Sequence, residues 1–461
     1  VCLSGGLADR EFGHWWKTIA PGASFTAPPA VLAAVSGDFQ DLCAALTAAQ
    51  QDAAERQPTI EHTLPAAFNE WCSSWGRPTH ANLLATARRL RGLGCTYLVI
   101  DDGWAERPGD GFQQNGDWIV NRRAFPEGLR ATCDAIRAEG LVPGIWFEFE
   151  VCNPGSRAWA LTDRHLQRDG RVLRVGSRRF WDFRDPWTRE YLSGKVIDLL
   201  RSAGFGYLKV DYNDSIGFGV DGASGHADGP GEHLRQHILG VQAFFAEIRR
   251  QLPDLVIENC SSGGHRLVAS MQGLCAQGSF SDAHETLEIP LIAAHLHLAV
   301  LPRQSQIWAV LRSGDSLARL DYSLAATFLG RVALSGDLAM LADGQLERVR
   351  AALAFYRRAV PALARGQSRL FAQTGESWRH PVGWQAVRRI SDDGRLTLIV
   401  IHTFACPPVD TFFVPLTPGP WRITARFGAR AEAVQWSAIS GALACDAPSP
   451  FTGLAVLLEL T

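Results

Sequence analysis

Between Leu64 and about Ala364 the chain alternates short apolar runs with amphipathic stretches of 10–20 residues. Eight runs read as strands: 66–71 (AAFNEW), 96–104 (TYLVIDDGW), 142–149 (VPGIWFEF), 207–212 (YLKVDY), 255–260 (LVIENC), 278–282 (GSFSD), 305–310 (SQIWAV) and 331–337 (RVALSGD). Helical segments such as 81–94 (ANLLATARRLRGLG) and 187–206 (WTREYLSGKVIDLLRSAGFG) lie between them, with glycine near their ends. This alternation predicts a parallel sheet, and eight units in about 300 residues predict the α/β class with a closed (β/α)8 TIM barrel.

After 364–370 the pattern changes. The segments 383–390 (GWQAVRRI), 396–404 (LTLIVIHTF), 411–416 (TFFVPL), 421–427 (WRITARF) and 454–460 (LAVLLEL) read as short strands parted by Pro, Gly and Asp. They predict a small antiparallel β-sandwich. Ahead of the barrel come a polar stretch at 21–29, an apolar strand at 31–37 (VLAAVSG) and a helical run at 41–56. That is too little chain to enclose a core of its own. The expected division is a short segment at 1–60, a barrel at 61–365 and a sandwich at 366–461.

Composition narrows the function classes. With 461 residues, 46% hydrophobic and 20% charged, the chain has a globular balance. A formal charge of −2 leaves no electrostatic footprint for nucleic acid or an anionic membrane. There is no apolar run of spanning length, and no basic-then-apolar leader follows Val1. The ten cysteines are scattered without a CxxC pair. Cys95, Cys152 and Cys260 sit in or beside apolar runs, where free buried thiols are usual, so a reducing, cytoplasmic setting is expected. Only Lys17, Lys195 and Lys209 interrupt an otherwise all-arginine set of 45 basic residues.

Polar residues gather at the C-terminal ends of the candidate strands, where barrels of this kind carry their sites. The first ends in Asn69, Glu70 and Trp71, and the second in Asp101, Asp102, Gly103 and Trp104. The third carries Trp146, Glu148 and Glu150, and the fourth Lys209, Asp211 and Asn213. The fifth gives Glu258, Asn259 and Cys260 followed by SSGG, and the sixth Ser281 and Asp282. Acids, amides and a lysine suit a polyhydroxylated ligand, and indole faces suit the apolar side of a sugar ring. Two carboxylates flanking an anomeric carbon are what glycosidic cleavage requires. The single HxH, His295 and His297, falls in a helical run, and no Gly-rich phosphate loop is evident late in the barrel.

The motifs 101–104 (DDGW), 146–150 (WFEFE), 207–213 (YLKVDYN), 258–264 (ENCSSGG) and 280–285 (FSDAHE) occur in order on successive strands. In this the stretch from Leu64 to Asp337 resembles the catalytic barrel of glycoside hydrolase family 36, in the α-galactosidase clan. The resemblance implies a retaining, exo-acting α-glycoside hydrolase, most simply an α-galactosidase, with Asp211 as nucleophile and Asp282 as general acid/base. It further implies that Asp101 and Asp102 hold the O4 and O6 hydroxyls and that Lys209 reaches the O3/O4 side. Asn213, Cys260 and the backbone of Gly263 fall near O2, Trp71 and Trp146 wall the pocket, and Arg178 contributes from the 176–182 loop. Phe149 stands where the family has proline, and GSFSDAHE replaces a tryptophan-led SDNTD, so the aglycone is left open. Family barrels follow a large β-domain, and residues 1–60 resemble only its end.

Each residue also has a plainer reading. Asp211 could make an ordinary strand-end salt bridge, Asp282 could cap a helix, and Asp101–Asp102 could open a turn. Cys260 could be an inert core thiol and His284 a solvated surface residue, while Trp308, Trp378 and Trp421 suit core or interface. Lys209 is harder to dismiss, because a lysine in so arginine-rich a chain points to a need for a compact cation. In the expected mechanism Asp211 attacks the anomeric carbon and Asp282, protonated at the start among Phe280 and Ala283, serves the leaving oxygen. No metal or organic cofactor is implied. An α-N-acetylgalactosaminidase, another α-glycosidase, or a transglycosylase would share these residues, and a non-enzymatic sugar-binding barrel would need only some of them. The expected partner is an α-linked oligosaccharide or glycoside. Phe12, Trp15 and Trp16, clustered within five positions, predict a packed N-terminal contact and a homo-oligomer.

Overall fold

The computed structural model describes residues 9–107, 114–222, 227–280, 282, 285–375, 378–407, 410–446 and 449–461. Ser281, Ala283 and His284, which figured in the sequence reading, lie outside the described residues. Eight parallel strands close a barrel: β1 Ala66–Asn69, β2 Cys95–Ile100, β3 Val142–Phe147, β4 Tyr207–Val210, β5 Val256–Asn259, β6 Gln277–Phe280, β7 Ser305–Leu311 and β8 Arg331–Gly336. Each pairs with its sequence neighbours, and β8 returns to β1 through Ala67↔Ala333 and Phe68↔Leu334. All eight expected strands are these eight. Their burial is continuous rather than alternating because helices cover the outer face while packed side chains fill the inner one.

The barrel interior below the pocket is polar and paired. The Tyr207 hydroxyl donates to Glu258 Oε2 at 2.5 Å, and Gln306 Nε2 donates to the Tyr207 hydroxyl at 3.1 Å and to Gln277 Oε1 at 3.0 Å. At the floor Arg331 forms a buried ion pair with Glu61, and the Tyr97 hydroxyl donates to the same carboxylate at 2.6 Å. These bonds pair most of the buried polar atoms and so make a polar floor tolerable, with Glu258 Oε1 and Arg331 Nε left without a hydrogen-bond partner among the described residues.

Five antiparallel strands follow the barrel, β9 Gln367–Thr374, β10 Gly383–Ile390, β11 Leu396–Thr403, β13 Trp421–Phe427 and β16 Gly453–Leu460, in the order β9-β10-β11-β16-β13. A three-stranded sheet of β12 Phe412–Pro415, β14 Val434–Ser437 and β15 Ala442–Cys445 covers one face. Trp384, Ile399, Ile401, Val414, Leu443 and Val456 fill the space between the sheets. The other face, through Val387, Leu398, Val400, Ala455 and Leu457, joins the barrel's own core against the helices Leu317–Thr327 and Asp343–Arg365. β9 begins inside the 364–370 stretch that the sequence reading treated as a boundary.

The apolar run at 31–37 forms no strand. Val31, Leu32 and Val35 are 59%, 85% and 43% exposed and no sheet edge is paired with them. Trp15 and Trp16 are half-buried against the start of the helix Pro230–Gln251, with Trp15 Nε1 donating to Glu232 Oε2 at 3.0 Å. Phe12 stays exposed. Trp308 and Trp421 are buried, whereas Trp378 is 53% exposed and so lies outside the core of the chain. Cys43, Cys72, Cys95, Cys133, Cys152, Cys260, Cys275, Cys406 and Cys445 are free thiols, and all but Cys95 and Cys406 are buried. No helix among the described residues is long and apolar enough to cross a membrane.

Candidate active site

A cavity of about 570 Å³ opens at the C-terminal ends of the barrel strands, within the range of small-molecule sites. Trp71, Asp101, Asp102, Trp146, Arg178, Lys209, Asp211, Asn213 and Asp282 line it, joined by Asn115, Glu148, Asn153 and Ser177. Of the residues to which the family resemblance assigns a site role, Cys260 and Gly263 are not in this lining. Glu70, Glu150, Glu258 and Asn259 do not reach it.

Asp211 follows β4 directly and is 8% exposed. Oδ1 accepts from the backbone N–H of Ser262 at 2.7 Å and of Tyr212 at 2.9 Å. Oδ2 accepts from Asn213 Nδ2 at 2.9 Å and Trp146 Nε1 at 3.1 Å. Burial alone would raise this carboxyl, but the Lys209 ammonium and the hydrogen bonds of Ser262, Asn213 and Trp146 outweigh it and hold Asp211 below the usual carboxylate range. Such a group is ionised at neutral pH and aimed by its donors.

Lys209 itself is buried, with Nζ 2.8 Å from Asp101 Oδ2 and 5.0 Å from the Trp308 ring. Burial opposes its charge, yet Asp101, Cys260, Glu258 and Asp211 carry it well above the ordinary lysine value. Asp101 also accepts from Asn69 Nδ2 at 2.6 Å. Among the described residues its neighbour Asp102 has no such cation: burial, then the charges of Asp101, Glu148 and Asp211, push it up to about 7. Asp102 Oδ1 meets no hydrogen-bond donor among the described residues, although it lines the cavity. An unmet acceptor in a pocket invites a ligand hydroxyl. Gly103, at φ +105°, brings the turn so close to the Gly76 carbonyl that a Cβ would sit 2.1 Å from its oxygen.

Glu148, a strand-end acid by sequence, is fully buried and belongs to the lining. Oε1 accepts from the Asn213 N–H at 2.9 Å, and Oε2 from Asn115 Nδ2 at 2.9 Å and Arg178 Nε at 3.0 Å. Burial pushes Glu148 up to about 7 against the pull of Arg178. Arg178 reaches Asp214 Oδ2 at 2.9 Å as well, from a small hairpin in the excursion after β3.

Asp282 lies two residues beyond β6, exposed at the rim. The SSGG turn after β5 links it to Asp211. Ser261, Ser262 and Gly263 have φ of +48°, +55° and +70°, a strained run for the two serines. The turn points the Ser262 N–H at Asp211, and the Ser262 hydroxyl donates to Asp282 Oδ2 at 3.3 Å. A Cβ on Gly263 would stand 2.7 Å from the Asp282 nitrogen, so only glycine lets the two segments touch. Arg266 braces the turn by donating to Ser261 Oγ at 2.8 Å and to Glu150 Oε1 at 2.7 Å.

The melibiase family model matches residues 24–366. The α-galactosidase AgaA of Geobacillus stearothermophilus is 24% identical over 370 residues, covering 76% of this chain and 49% of its own. α-Galactosidase 1 of Pediococcus pentosaceus is 22% identical, covering 89% and 56%. The chain thus spans about half the length of the curated relatives it matches. In structure, an α-galactosidase from Lactobacillus brevis superposes with a TM-score of 0.83 at 20% identity, over 96% of this chain and 61% of that one. AgaA in complex with 1-deoxygalactonojirimycin superposes with 0.78 at 19% identity, over 92% and 59%. These likenesses establish the barrel-plus-sandwich fold.

Proposed function

The chain belongs to the melibiase family, and from that premise we propose that it is a retaining, exo-acting α-glycoside hydrolase, with α-galactosides as substrates. The observation that carries this reading is the pairing of Asp211 with Asp282. One is a buried carboxylate kept ionised by four hydrogen-bond donors and Lys209, the other a solvent-facing acid, and Ser262 touches both.

In this mechanism Asp211 attacks the anomeric carbon while Asp282 gives its proton to the departing oxygen. Asp282 then takes a proton from water, which releases the sugar from Asp211 with the configuration retained. Asp101, Asp102 and Lys209 grip the ring hydroxyls, and Trp71 and Trp146 flank its faces. A raffinose complex of AgaA supports α-linked oligosaccharides as the substrate class. The free thiols fit a cytoplasmic setting, and exposed Phe12 fits burial in a homo-oligomer. Light scattering at micromolar concentration should therefore find more than one chain per particle.

The deciding experiment uses Asp211→Gly. A panel of p-nitrophenyl α-glycosides on the unmodified protein identifies the sugar, with galactose expected. The variant should lose about 10⁴-fold or more in kcat. Azide should restore part of it and yield the β-glycosyl azide. An α-azide from Asp211→Gly, or a β-azide from Asp282→Gly, would reverse the two roles. Inversion by the unmodified protein would overturn the double displacement.

A further inference from the structure

Arg312 stands immediately after β7, outside the cavity lining. Its Nε donates to Glu285 Oε1 at 2.9 Å, and its Nη2 contacts the same carboxylate. Its Nη1 donates to the Cys72 carbonyl at 2.9 Å and to Asp337 Oδ1 at 3.0 Å. The guanidinium also lies 5.9 Å from the Trp75 ring. One side chain therefore joins the segments that follow β1, β6 and β8 to the end of β7. Two other contacts hold the β6 segment: Arg319 donates to the Glu285 carbonyl, and the Tyr322 hydroxyl donates to the Leu287 carbonyl.

We propose that Arg312 is a positioning residue for the proton-donating carboxyl, acting through Glu285, an inference that rests on the reading of Asp282 as acid/base. Glu285 is three residues from Asp282, a span of at most about 11 Å of chain, so fixing one restricts where the other can stand. The Glu285 side chain is 42% exposed, and an ion pair so placed contributes little to stability. Its effect is geometric. The planar, multi-donor fork of arginine serves Glu285, Cys72 and Asp337 together, which the single ammonium of lysine cannot do. Gly263 and Ser262 bear on Asp282 from the β5 side, and Arg312 completes the constraint from the β7 side.

The test is leaving-group dependence. Proton donation matters for a sugar leaving group and hardly at all for an activated phenolate. Arg312→Ala and Glu285→Gln should each lose about 10- to 100-fold in kcat/KM on raffinose and less than about threefold on 2,4-dinitrophenyl α-galactoside. Inhibition by 1-deoxygalactonojirimycin, which occupies only the sugar pocket, should be unchanged. Arg312→Lys should fall between. Equal losses on both substrates, weaker inhibition in parallel, or no loss on raffinose would each overturn the proposal. Should Arg312→Ala not fold, Glu285→Gln at the surface carries the same comparison. An unmodified protein inactive on every α-glycoside would instead overturn the functional reading, a result visible before any variant is made.

Discussion

The two sides of the pocket are built on opposite principles. On the β4–β5 side Asp211 is buried, takes four hydrogen bonds and lies in the field of a buried lysine. On the β6–β7 side Asp282 is exposed, and arginines more than one residue away hold the segment around it. A nucleophile must stay ionised and keep its aim, which burial among fixed donors provides. A general acid/base must exchange protons with water and let half of the substrate leave, which a solvent-facing rim provides. On the proposed roles of Asp211 and Asp282, the difference teaches that the rigid half would set the reaction and the open half would be free to vary with the leaving group.

Breaking the rigid half should have the largest effects. After Asp211→Gly comes Lys209→Met, which strands Asp101 as a buried charge and strips the cation from Asp211. We expect kcat/KM to fall by about 10²- to 10³-fold. Since Lys209 is the largest influence lowering Asp211, its loss moves the acidic limb of the pH profile upward. A limb that stays in place would detach the lysine from the nucleophile.

On the open half, Asp282→Ala should cost about 10²- to 10⁴-fold on raffinose but little in the first step on an activated aryl galactoside. With such a substrate a glycosyl-enzyme should accumulate, visible as a burst. Equal losses on both substrates would remove the contrast between the two sides.

The smallest effect concerns stability. Asp102 is pushed up to about 7, so the folded state keeps a proton that the unfolded chain releases near pH 4. This contribution is complete below about pH 4 and is lost as pH rises through about 7. Asp102→Asn should flatten the fall in Tm across that window. An unchanged slope would mean that Asp102 is stabilised as an anion after all.

The strand ends were legible because an apolar run that stops on Asp, Glu, Asn or Lys marks both the strand and its rim. Asp101, Lys209 and Asp211 stand out for that reason. Asn115, Asn153 and Ser177 were not legible: they arrive on excursions after β2 and β3, where no periodicity places a side chain. Glu148 was visible as an acid, but its tie to Arg178, 30 residues on, was not. Glu258 misled, since a strand-end position does not tell whether a side chain points up to the pocket or inward to Tyr207. In the sandwich, β14 (VQWS) and β15 (ALAC) hold fewer large β-favouring side chains than the equally short β12 (FFVP), and β9 carries an unremarkable pattern. The 31–37 run had strand composition without a partner edge, and composition alone did not make it a strand.

The order of the five-stranded sheet has a consequence for how the chain is made. Among the described residues β13 pairs only with β16, and β16 lies between β11 and β13. On the ribosome, β13 is made well before the strand that it pairs with. Until residues 453–460 have been synthesised, β11 has an open edge and Phe427 cannot be locked in place against Phe328 and Phe355. The helices Leu317–Thr327 and Asp343–Arg365 then wait for part of their cover. Nascent chains halted between residues 430 and 450 should therefore carry barrel helices that lack part of their cover beside an open strand edge, and a holdase that shields strand edges would find its substrate there.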